Sequence, residues 1–82
     1  MSGTLNIVGP QVRRLRCEQE LTQEMLVGRL ATAGWDLTRG TLAKIEGRVR
    51  GVSDRELQML ARALRVEIPD LYPQSPTARR RR

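Results

Sequence analysis

Eighty-two residues, a net charge of +6, one cysteine and no histidine describe one small domain with no internal disulfide and no zinc-finger ligand set. A chain this size buries roughly 60% of its unfolded surface, enough for one modest core. Its apolar runs are too short to span a bilayer, and Met1 to Pro10 holds neither a basic n-region nor a signal-peptide core, so a cytoplasmic protein with no membrane partner is expected.

In chain order, residues 1–8 form an N-terminal arm in which Leu5, Ile7 and Val8 are available to anchor on the core. Gly9-Pro10 is a helix-start signal, because proline is tolerated at the first helical position. The first helix is predicted from about Pro10 to Glu20, burying Val12, Leu15 and part of Cys17. Cys17 reads as packing rather than chemistry, since no histidine is present to activate it. Leu21-Thr22 opens the second helix, with Thr22 as cap and Leu21 against Leu26 as a hydrophobic staple. Leu26, Val27 and Leu30 make its buried stripe, Ala31 and Ala33 continue it, and Gly34 stops it.

Gly34-Trp35-Asp36-Leu37 is a short turn of the length that joins a helix-turn-helix, with Trp35 half-buried over the end of the core. Thr38 caps a third helix that runs to about Gly47. Leu37, Leu42 and Ile45 share its apolar stripe, while Arg39 and Lys44 point elsewhere and Gly40 and Ala43 leave that outer surface low. Arg48-Val49-Arg50-Gly51 is a basic loop. Ser53 and Glu56 then form a capping box, with Val52 and Leu57 as its staple, opening a fourth helix to about Leu64. That helix buries Leu57, Leu60, Ala61 and Leu64, with Met59 at its edge. A short fifth turn from Glu67 to Tyr72 offers Ile68 and Leu71, which close the core or contribute to a dimer patch. Regular structure ends at Pro73, and residues 74–82 are expected to be a disordered basic tail. No strand pattern, repeat or heptad run is present, so the fold class is all-α.

The charge is uneven. Arg79 to Arg82 carry four of the six net positive charges. Two clusters stand out among the other cations: Arg39, Lys44, Arg48 and Arg50, opposed in that span only by Glu46, and Arg13, Arg14 and Arg16. Acidic residues gather at Glu18, Glu20 and Glu24, and at Asp54 and Glu56. This asymmetry implies an anionic partner met on one side, although charge alone fits a solvated surface equally well. The third helix sharpens the argument: two cations beside two very small residues make a surface shaped for close approach, as a major groove requires.

From about Gly9 to Pro73 the chain resembles the Cro/cI-type helix-turn-helix family, also called XRE or lambda-repressor-like. The matching residues are Val12-Arg13-x-Leu15-Arg16, Leu21-Thr22-Gln23-Glu24-x-Leu26, Thr38-Arg39-x-Thr41-Leu42-x-x-Ile45-Glu46 and Leu57-x-x-Leu60-Ala61-x-Ala63-Leu64. The resemblance implies a compact five-helix domain over residues 9–73 that binds double-stranded DNA as a regulator of transcription. It implies that Arg39, Gly40 and Lys44 occupy the positions that reach base edges, where arginine or lysine favours guanine. Thr22, Gln23, Thr41, Arg48 and Arg50 match phosphate-facing positions, Gln23 at a helix N-terminus suited to an anion. Arg16 and Glu46 match a buried ion pair between the first and third helices. The second helix with its turn is roughly one helical turn longer than in compact members. Gly40 supplies no reading side chain, so the family's base code does not carry over whole. After Glu46, where the family usually has a small residue and then glycine, this chain has Gly47 and then Arg48.

The expected function is therefore a sequence-specific DNA-binding regulator, a repressor working as a homodimer, since one helix in one groove reads few bases. The alternative is a protein-interaction module of the same fold, an antitoxin or adaptor whose main partner is another protein. Single-strand binding lacks a stacking platform, with Trp35 and Tyr72 the only aromatics. An enzyme is not expected, for want of a histidine, a glycine-rich phosphate loop or paired carboxylates on facing elements, and neither a cofactor nor a metal is called for.

Overall fold

Four α-helices and one 3-10 turn make up residues 5–73, which the computed structural model describes, with no β-strand among them. The first four residues of the expected arm and the whole of the expected tail, with Arg79 to Arg82, lie outside the described residues. The helices are α1 (Gly9–Glu18), α2 (Gln23–Thr32), α3 (Arg39–Glu46) and α4 (Asp54–Leu64). The fifth element, Ile68–Leu71, is a single 3-10 turn and not a fifth α-helix. Pro73 just after it has no N–H with which to carry a helix further, and it disfavours the helical conformation at Tyr72.

Three of the four helix starts are built by local side chains. Thr22 accepts from the Met25 N–H at 3.0 Å, Thr38 from the Thr41 N–H at 3.1 Å and Ser53 from the Glu56 N–H at 3.2 Å. Glu56 returns the favour by accepting from the Ser53 N–H at 3.0 Å, completing the capping box. The helix ends share one device. The N–H groups of Leu21, Trp35, Val49 and Val66 reach back five residues to the carbonyls of Arg16, Leu30, Lys44 and Ala61, at 2.9–3.0 Å. Each such closure needs a left-handed residue just before it. These are Glu20 (φ 59°), Gly34 (φ 104°), Arg48 (φ 66°) and Arg65 (φ 59°), and only one of them is a glycine. The first helix accordingly ends at Glu18 and not at Glu20.

The core is aliphatic. Val12, Leu26, Leu30, Leu42, Ile45, Leu60, Leu64 and Leu71 are fully buried, with Leu15, Val27, Trp35, Leu57 and Met59 packed against them. α3 packs on α1 and α2, while α4 packs on α2 and on the 3-10 turn. Of the three arm residues expected as anchors, Val8 is buried, whereas Leu5 and Ile7 stay exposed at 60% and 54%. Cys17 is exposed too, and not partly buried as expected. It lies about 140° round the helix from Val12, which sends it away from the core. Among the described residues, no helix is long and apolar enough to cross a membrane.

Candidate nucleic-acid interface

The C-terminal residue of α3 ties three elements together. Glu46 receives Arg16 Nε at 2.7 Å and Arg16 Nη2 at 3.1 Å, one on each carboxylate oxygen. Both side chains are buried, at 11% and 3% exposure. Arg16 spends its remaining donor on the Leu21 carbonyl at 2.8 Å, bracing the turn that leads into α2. The hydrogen bonds that Arg16 donates to Glu46 are the main cause of a guanidinium pKa raised above its ordinary value, so Arg16 stays charged. Glu46 Oε1 also accepts from Gln23 Nε2 at 3.1 Å. Gln23 is the first residue of α2. One carboxylate thus fixes the amide of Gln23, and with it the half-exposed N-terminus of α2, relative to α3.

The same end of α3 is held a second time, by a residue that the sequence had not singled out. Asn6 Nδ2 donates to the Ile45 carbonyl at 3.1 Å and to the Arg50 carbonyl at 2.7 Å, while Asn6 Oδ1 accepts from the Gly9 N–H at 2.7 Å. The Leu5 N–H adds a bond to the Arg48 carbonyl at 2.9 Å. The end of the arm is therefore laced to both the close of α3 and the loop after it. Gly9 permits this, because a Cβ there would lie 2.2 Å from the Ile45 carbonyl oxygen. Only the bond to the Gly9 N–H, three residues on, is local in the sequence.

With its C-terminal end anchored in this way, α3 presents its outer surface. Arg39, Gly40, Ala43, Lys44 and Gly47 are exposed. A Cβ added to Gly40 would meet only Thr38 Oγ1, at 3.8 Å, so nothing within the fold requires glycine there. Arg39 and Lys44 have no side-chain partner among the described residues. Thr38 Oγ1 donates to Thr41 Oγ1 at 3.1 Å, which leaves the Thr41 hydroxyl proton free to point outward. The first two N–H groups of α3 and of α2 stand beside it, their third being taken by the caps. Thr22, at the corresponding place before α2, is exposed.

The basic loop divides into two different cations. Arg48 adopts the left-handed conformation that closes α3, and its guanidinium has no partner among the described residues. Arg50 is committed internally. Its Nη1 and Nη2 meet Glu56 Oε1 and Oε2 at 3.0 and 3.2 Å, Nη1 also donates to the Gly51 carbonyl at 2.9 Å, and Cζ lies 5.8 Å from the centroid of the Trp35 ring. The bond with Glu56 raises the Arg50 pKa and holds the Glu56 carboxyl below the usual range. Arg50 therefore fastens the loop to the start of α4 and to the α2–α3 turn, with its charge already balanced.

The face is a row of hydrogen-bond donors on a low surface, built from two helix starts, one exposed helix flank and one loop. Such an array binds anionic and acceptor-rich surfaces. The fold is similar to the high-resolution crystal structure of the restriction-modification controller protein C.AhdI from Aeromonas hydrophila, with a TM-score of 0.70 and 31% sequence identity, over 79% of this chain and 91% of that one. No family model and no curated protein matches the chain.

Proposed function

This chain belongs to the Cro/cI-type (XRE, lambda-repressor-like) helix-turn-helix family, and we propose that it is a sequence-specific double-stranded-DNA-binding transcriptional regulator that lays α3 in the major groove. One observation carries the proposal above the others. Arg39, Lys44 and Arg48 are left without internal partners beside the low Gly40–Ala43 surface, while Arg16 and Arg50 are neutralised inside the fold. Arg39 and Lys44 read base edges in this arrangement, five residues and about 7.5 Å apart along the helix axis. Gln23, Thr22, Thr41 and Arg48 hold phosphates, and Arg50 positions the loop. The likeness to a restriction-modification controller makes the genes of such a system the first candidates for regulation. Repression follows where the bound site overlaps a promoter, because occupancy alone suffices.

The regulator acts as a homodimer on a two-fold site, since one recognition helix covers only a few base pairs. Ile68 and Tyr72, 38% and 36% exposed on the 3-10 turn and its end, offer the apolar part of an interface.

Selection of bound sequences from a random duplex pool tests the proposal. Once a site is known, Arg39→Ala is expected to cost about 1–3 kcal/mol of affinity there and to relax the preference at one base pair. Lys44→Ala has the same effect more weakly. Gln23→Ala weakens binding to all sequences about equally. An Arg39→Ala variant that loses affinity uniformly, with its preference profile intact, makes Arg39 a phosphate clamp and overturns the base-reading assignment.

A further inference from the structure

A second basic surface lies on the other side of α2. Between the C-terminal ends of α2 and α4 is an open cavity of about 380 Å³ lined by Arg29, Thr32, Ala33, Arg62, Ala63 and Arg65. Arg29 is held in place by donating to the Ala63 carbonyl at 2.9 Å. Arg62 and Arg65 are exposed and have no partner among the described residues. Three arginines thus line one cavity together with two alanines. Arg65 does so from a left-handed backbone, φ 59°, which glycine would occupy with less strain. This cradle is separate from the proposed DNA face. Arg29 and Ala33 stand six and ten residues past Gln23, about 9 and 15 Å along the helix axis. The 3-10 turn packs chiefly on α4 and α1, and none of its residues lines the cavity.

We propose that this cradle docks an acidic segment of a partner protein. Guanidinium groups match carboxylates in planar, bidentate geometry. The two small apolar side chains, together with the arginine stems, suit side-chain methyl and methylene groups better than a solvated sugar-phosphate track.

The probe is a short fluorescein-labelled oligo-glutamate peptide, followed by anisotropy against the full chain. Two variants are compared: Arg62→Ser/Arg65→Gly in the cradle, and Arg39→Ala/Lys44→Ala on α3. Arg65→Gly removes a cation while relieving a left-handed backbone, so loss of the fold does not confuse the result. The cradle variant is expected to lower peptide affinity at least about tenfold, the worth of one or two charge-assisted hydrogen bonds, and to leave affinity for the selected DNA site within about twofold. The α3 variant is expected to do the reverse, and peptide binding should persist with DNA bound. Absence of peptide binding, equal losses from both variants, or displacement of the peptide by DNA overturns the proposal. If the cradle variant loses DNA affinity and the peptide is unaffected, this surface is a DNA contact instead.

Discussion

Glu46 accepts three hydrogen bonds on two oxygens while nearly sealed from water, and that makes it the residue whose loss the fold tolerates least. Glu46→Ala leaves the Arg16 guanidinium buried with no counter-charge, and a loss of about 3–5 kcal/mol is expected in urea denaturation. Replacing both partners at once, as Arg16→Met with Glu46→Leu, is expected to recover most of it, because no charge is then stranded. A Glu46→Ala loss below about 1 kcal/mol would place the pair with exposed ion pairs. Glu56 carries a different load. The Arg50 guanidinium, and to a lesser degree the Ser53 backbone N–H, hold its carboxyl below the ordinary glutamate value against an opposing desolvation by burial. With the folded pKa below the unfolded one, the stabilisation is complete above the unfolded value of about 4.3 and is lost as pH falls through the folded one. The stability gap between the native chain and Glu56→Gln is therefore expected to be largest near neutrality and to close in acid. Denaturant midpoints across a pH series measure it, and a gap that persists unchanged into strong acid would show that the carboxylate charge is not its source.

At the scale of elements, the loop after α3 owes its position to two clamps, Asn6 from the arm and Glu56 from α4. Asn6→Ala removes the first and is expected to cost roughly 1–3 kcal/mol of stability, the range for partly buried hydrogen bonds left unpaired. Because Arg48 rides on that loop, DNA affinity is expected to fall for all sequences while base preference is kept. Unchanged affinity in a destabilised Asn6→Ala would mean that the loop finds its place on DNA without the arm. Much of this architecture was legible in local pattern. Thr22, Thr38 and Ser53 each precede an apolar periodic run, and a cap with its staple is a matter of neighbours three and five residues apart. The helix ends were less so, because Glu20, Arg48 and Arg65 take a conformation normally signalled by glycine. Their signal lies one residue later, in the apolar Leu21, Val49 and Val66, of which Leu21 and Val66 pack on the core and help to impose the turn. The clamp that Asn6 makes on α3 and the loop was illegible for a plainer reason: those two partners are about forty residues away, at |i−j| of 39 and 44. The cations of the basic loop could be named from the sequence but not sorted, since nothing local says that Glu56 serves its capping box and Arg50 at once.

Across the whole molecule, that sorting decides how binding responds to salt. Each phosphate neutralised contributes about 0.9 to the slope of log K against log salt on duplex DNA. Arg48 enters the encounter as an uncompensated charge, whereas Arg50 enters it paired with Glu56. Arg48→Ala is therefore expected to lower the slope by about 0.9 for each chain bound. Arg50→Ala should lower it clearly less and reduce folding stability instead, through the freed Glu56 and the lost contact with Trp35. Deleting Arg79 to Arg82, outside the described residues, should lower the slope by at most about 3.6 for each chain and leave base preference intact. The measurement is affinity for the selected site at several salt concentrations, beside urea midpoints for the same variants. The two loop variants must separate in opposite directions. If Arg50→Ala produces the larger fall in slope with an unchanged urea midpoint, the Arg50–Glu56 pair opens on DNA. The roles of the two arginines would then be reversed, with Arg50 on the phosphate and Arg48 serving only to close α3.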